Sequence, residues 1–127
     1  MLSREEIIAT AGHLKRREVL VPEWNGSVLI RELTGAERDE VESMMLRAQK
    51  TNDFKGVRAK VVCLSCITEN GERLFDIKND ASIISNLSAS VLELLFKEAC
   101  TISGMNPAEE GTEGNSQTTL TDMLGTK

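Results

Sequence analysis

The sequence has no tyrosine, one tryptophan, three phenylalanines, two prolines, three cysteines and a single histidine. With so few aromatic rings, the core has to be assembled from Val, Leu, Ile, Met and Ala, each burying less area than a ring would. A lone His13 leaves no second imidazole for a metal site, and no Ser-His-Asp or Cys-His arrangement is legible around it. Neither GxxxxGK[ST] nor GxGxxG occurs, so no phosphate-cradling loop is predicted. The odd number of cysteines, Cys63, Cys66 and Cys100, does not match the paired framework of a small secreted domain, and reduced thiols are expected.

Basic excess is also lacking. The chain of 127 residues carries a formal charge of −5 and a pI near 5.0, with Lys15-Arg16-Arg17 as its only basic run. Nucleic-acid affinity rests on clustered Lys and Arg that release counterions from phosphates, so no nucleic-acid partner is predicted. The basic run reads as a solvated helix end. There is no apolar run of the ~20 residues that span a bilayer and no basic-apolar-small leader, so no membrane association is expected and the cytoplasm is the predicted location.

What is present divides into a folded region, residues 1–104, and a polar tail, residues 105–127. Ser3 and Glu6 form a capping box for a first short helix that carries Ile7, Ile8 and Ala11 and ends at Gly12. Residues 18–32 read as a β-hairpin. Val19 and Val21 share one face, Pro22 closes the first strand, Asn25-Gly26 suits a type I′ turn, and Val28, Leu29 and Ile30 return. Trp24, just before the turn, is either a lid over the helices or an anchor in a partner interface. Thr34 and Glu37 make a second capping box, opening a helix whose buried stripe is Val41, Met44, Met45 and Ala48. Because methionine adapts to irregular surfaces, Met44 and Met45 are candidates for a partner groove as well as for the core.

Residues 57–68 read as a helix that is apolar nearly all round and therefore central. Cys63 and Cys66 fall inside it, without the helix N-terminus that activates a redox pair. Asn70-Gly71 signals a turn, and Leu74, Phe75 and Ile77 a short extended piece beside the hairpin. Asp80 then caps a helical turn, and Ser88 or Ser90 caps a last helix whose stripe runs through Val91, Leu92, Leu95, Phe96, Ala99 and Ile102 to a stop at Gly104. The predicted class is α+β: a mainly helical single domain with an N-terminal hairpin packed on three to five helices. From Met105 onward four carboxylates face one lysine with no aromatic residue, a composition expected to be disordered. Within it Leu120, Met123 and Leu124 lie at i, i+3, i+4, as in a short motif that folds on a partner, or as a mere apolar remnant.

The stretch Val21-Pro22-Glu23-Trp24-Asn25-Gly26-Ser27-Val28, running on through Ile30-Arg31-Glu32-Leu33-Thr34-Gly35-Ala36-Glu37-Arg38-Asp39, resembles the first half of tail assembly chaperones of lambdoid long-tailed bacteriophages. Downstream, Arg58-Ala59, Asn70-Gly71, Leu74-Phe75 and Asp80 continue the likeness over residues 19–102. The resemblance implies a non-catalytic role without cofactors. Such a protein holds the tape measure protein soluble in the host cytoplasm, helps recruit major tail tube subunits and is absent from the finished virion; a long client that takes many copies makes self-association along it possible. It also implies a longer form, made by programmed frameshift, that contacts the tube protein. A cytoplasmic adaptor or regulatory module whose tail motif binds one partner is the alternative. Trp24, Met44, Met45, Leu120, Met123 and Leu124 are the candidate partner-binding residues.

Overall fold

Arg16 opens an extended strand rather than closing a helix. The first helix, α1 (Arg4–Ile8), is held by the Ser3/Glu6 capping box, with Ser3 Oγ accepting from the Glu6 amide at 3.1 Å and Glu6 Oε1 from the Ser3 amide at 2.8 Å. It ends well before the basic run, and the chain turns through Gly12 at φ +86°, a conformation open to glycine. Lys15-Arg16-Arg17 therefore leads into β1 (Arg16–Val21), which corrects the helix-end reading. The computed structural model describes residues 1–105.

β1 pairs antiparallel with β2 (Gly26–Arg31), placing Val19 opposite Val28 and Val21 opposite Gly26. Val19, Val21 and Ile30 are buried while Leu20 is exposed, the alternation that period-2 patterning predicts. The connection differs from the expected two-residue turn. Residues 22–25 form the loop: Pro22–Trp24 makes one 3-10 turn, and Asn25 alone takes the left-handed conformation at φ 57°. Proline's fixed φ suits the first position of that turn, so Pro22 rather than Gly26 sets the loop. Trp24 consequently sits at the hairpin tip, 43% exposed.

The second capping box is formed as predicted: Thr34 Oγ1 accepts from the Glu37 amide at 3.1 Å and starts α2 (Gly35–Thr51). Val41, Met45 and Ala48 are buried and Met44 is half-buried. Gly56, at φ 76°, precedes α3 (Val57–Ser65), in which seven of nine residues are buried. This is the central helix, packed on α2, α4 (Ile77–Ser85) and α5 (Ala89–Ile102), while α5 also lies against β1 and β2.

The central helix stops sooner than expected. Cys66 turns to φ −77°, ψ 131°, and Cys66–Ile67 becomes β3, pairing with Ile30 and Leu29 of β2 to make a three-stranded sheet in the order β1-β2-β3. The β-branched Ile67 and Thr68 favour that extended path, and the ladder supplies partners to backbone groups that would be orphaned at a buried helix end. After the turn at Gly71 only Arg73 bridges back to Ile67, so Leu74, Phe75 and Ile77 form no strand. Ile77 instead begins α4, capped by Asp76, whose side chain accepts from the Asn79 amide at 3.0 Å. Asp80, expected as the cap, reciprocates by accepting from the Asp76 amide at 2.7 Å.

Ser88 caps α5, and Gly104, at φ 75°, ends it. The Met105 amide bonds back to the Cys100 carbonyl at 2.7 Å and the Gly104 amide to Thr101 at 3.1 Å, the two bonds of a Schellman stop. Met105, read from sequence as the first residue of the tail, is 3% exposed and belongs to the core. Leu120, Met123 and Leu124, with the tail predicted to be disordered, lie outside the described residues. Among the described residues, no helix is long and apolar enough to cross a membrane.

Ser65 is the one core hydroxyl with no hydrogen-bond partner among the described residues. An unsatisfied hydroxyl costs more than its packing returns. Ser65→Ala is expected to stabilise the fold by about 1 kcal/mol, seen as a rise of several degrees in the calorimetric midpoint.

Candidate partner-binding surface

Two adjoining clefts open on the helical side. The larger, of about 640 Å³, lies where the loop before α3 meets α4 and α5. Its apolar lining is Phe54, Ala59, Ala81 and Leu92, and its polar rim includes Lys55, Ser82, Ser85 and Asn86. Ala81, Ser82 and Ser85 present small side chains along one side of α4, which lets the floor stay open. Arg58 stands at the edge with its guanidinium 5.7 Å from the Phe96 ring centre and its Nε 3.1 Å from Glu93 Oε1, so its charge is held in place. The smaller cleft, about 330 Å³, runs between α2 and α3 and contains Met44 and Val57. Lys55 and Gly56 line both, so the two form one surface with apolar floors and cations along the lip. Such a groove fits an amphipathic helix or a short apolar segment with acidic flanks.

The predicted residues are not gathered at one place. Met44 lines the smaller cleft and is available to a partner. Met45, at 2% exposure, is committed to the core, because the α2 stripe faces α3 and takes the more inward of the two methionines. Trp24 stands apart on the hairpin tip, where Glu23 Oε2 accepts from Ser90 Oγ at 2.8 Å and ties the turn to the start of α5. Phe54, Ala81, Ser85 and Leu92 were missed. The run of small residues on α4 is a sequence signal for Ala81 and Ser85 alone.

A second charged assembly holds the domain together. Arg31 Nη1 and Nη2 donate to Glu37 Oε1 and Oε2, each at 2.8 Å, and Arg73 Nη2 donates to Glu37 Oε2 at 2.7 Å. Burial pushes the Glu37 carboxyl up, but the bonds from Arg31, the Thr34 amide and Arg73, with the attraction of Arg31, outweigh it and hold the group at about 2. Sequence showed Glu37 only as a cap.

The Cys-x-x-Cys pair has no comparable setting. Cys63 and Cys66 are fully buried free thiols, one at the end of α3 and the other in β3. Burial raises both, Cys66 to about 12 with a further push from Cys63, and Cys63 also under the influence of Asp80 and Asp76. Among the described residues no group of His, Cys, Asp and Glu side chains is placed to hold a metal. At pH 8 a disulfide reagent should label Cys63 and Cys66 only after denaturation, and Cys63→Ala with Cys66→Ala should keep native helicity at a cost of about 1 kcal/mol per site. Rapid labelling of the folded chain would overturn the assignment of both thiols to the core.

Comparison of the chain with protein-family models, with curated proteins and with solved structures finds no match.

Proposed function

We propose that the protein is a tail assembly chaperone of a long-tailed bacteriophage, a non-catalytic holder of the tape measure protein acting in the host cytoplasm. The observation that carries this reading is the stretch from Val21 to Asp39, whose sequence resembles that family and which here comprises most of the hairpin, its 3-10 tip and the capped start of α2. The joined clefts of the helical side support it. A long helical client presents repeated apolar side chains, and a shallow groove lined by Met44, Phe54, Ala81 and Leu92 accepts such segments without demanding one sequence. The net charge of −5 favours solubility of a chaperone with a bound apolar client. Major tail tube subunits are recruited in this scheme by a longer frameshifted form, and neither form stays in the virion.

Co-expression with the phage's tape measure protein tests the reading. The client should move into the soluble fraction and co-elute with the chaperone. Ser82→Lys with Ser85→Lys, both at exposed positions, should leave the fold intact and reduce co-elution at least tenfold. Unchanged client solubility with no complex sinks the proposal and favours an adaptor module whose tail motif binds one partner.

A further inference from the structure

The joined clefts differ in charge from one end to the other. On the α4 side the lining is uncharged, with Ala81, Ser82, Ser85 and Asn86 beside Leu92 of α5. On the α2 side the smaller cleft is lined by Arg47, Lys55 and Lys60 against a single carboxylate, Asp53. The sign is reversed there in a chain whose formal charge is −5.

Most of the charges around the clefts are already matched. Lys60 Nζ lies 3.4 Å from Glu40 Oε2, Arg58 Nε lies 3.1 Å from Glu93 Oε1, and Asp53 Oδ1 accepts from the Lys55 amide at 3.1 Å. The exposed side chains of Arg47 and Lys55 have no ion-pair partner among the described residues. Phe54 and Met44 line the two clefts, and Lys55 and Gly56 belong to both, so an occupant that spans them meets apolar side chains in each and unmatched positive charge at one end. Carboxylates on the occupant match those two cations, and complementarity of this kind sets orientation and selectivity. A helix presents an apolar stripe to such a groove with its own backbone already hydrogen-bonded.

We infer that the groove takes an amphipathic helical segment of a partner protein in one orientation, its apolar stripe on Met44, Phe54, Ala81 and Leu92 and an acidic end on Arg47 and Lys55. The inference rests on the reading of these clefts as the client site and adds the chemistry and direction of the client segment. Arg47 and Lys55 are then the residues that set specificity.

The test uses the full chain and synthetic peptides with leucines at i, i+3, i+4 and i+7 and a run of glutamates, serines or lysines at one end, titrated by fluorescence anisotropy. The glutamate peptide should bind about tenfold tighter than the lysine peptide at low salt, and the preference should fade at roughly 0.5 M salt. Arg47→Gln with Lys55→Gln, both at exposed positions, should weaken the glutamate peptide about fivefold and leave the serine peptide unchanged. Arg47→Glu with Lys55→Glu should pass the preference to the lysine peptide. A nitroxide on the glutamate end should bleach the amide signals of Arg47 and Lys55 more than those of Ser82 and Ser85, and a nitroxide on the other end the reverse. Equal affinity for the three peptides, reversed bleaching or no binding overturns the inference. So does displacement by a single-stranded oligonucleotide, which assigns the cations to phosphates, or a dimer of the free chain that the peptide dissociates, which gives the groove to a second copy. Glutamate-selective binding with a failed co-expression experiment removes the phage assignment alone, and client co-elution without acid selectivity removes this inference alone.

Discussion

Replacing Glu37 by alanine is expected to lower the free energy of unfolding by about 3–5 kcal/mol, a large part of what a domain of this size possesses. The cost arises mainly from what is left behind. Arg31 has an 11% exposed side chain whose bidentate partner is Glu37, and its remaining hydrogen bond is to the Glu32 carbonyl at 2.8 Å. Arg73 would also be released, and with it the loop between β3 and α4. Glu37→Gln keeps the shape but not the charge, so it should be destabilising to a smaller degree and should alter the pH dependence. The sign follows from the carboxyl being held at about 2 when folded, against 4.5 for the free group. Its contribution, about 3 kcal/mol, is fully present above pH 4.5 and is lost as the pH falls toward 2. Urea midpoints measured across that range should fall in the native chain and fall less in Glu37→Gln. Equal slopes would show that other carboxylates govern the acid limb.

Met105→Ala should cost about 2–4 kcal/mol, whereas a stop codon in place of Asn106 should leave the main unfolding transition almost where it was. Met105 is 3% exposed and packs with the core, and its amide closes the Schellman stop of α5. Truncation after Met105 keeps every one of these contacts. Calorimetry of the two variants decides the matter: a transition that falls equally in both would show that the core continues past residue 105.

The features read correctly from sequence are those in which a side chain acts on its own backbone. Ser3 with Glu6 and Thr34 with Glu37 close capping boxes within four residues, and Ser88 caps α5 through the Val91 amide at 3.2 Å. The alternation of Val19, Leu20 and Val21 likewise needs only the strand's period of two. The misread features are those where two local rules competed. At residues 22–26 Pro22 and Gly26 each proposed a turn, and at Cys66 an apolar run fit for helix met β-branched residues fit for a strand. Distant pairing with β2 decided the second. At Asp76 and Asp80 both carboxylates serve the same helix end, and the sequence reading named only Asp80.

Sequence by itself determined the α+β class, the hairpin, the central place of the helix beginning at Val57, and a core poor in aromatic rings. Local hydrogen bonds and the periodicity of apolar residues are sufficient for these, since each depends on neighbours within a few positions. Only the tertiary structure decided that Glu37 joins Arg31 and Arg73, that Met44 lines a cleft while Met45 fills the core, and that Trp24 stands exposed at the hairpin tip. Arg73 lies 36 residues from Glu37. Which of two adjacent methionines turns inward depends on the helix packed against them, and both are consequences of packing that no local pattern encodes.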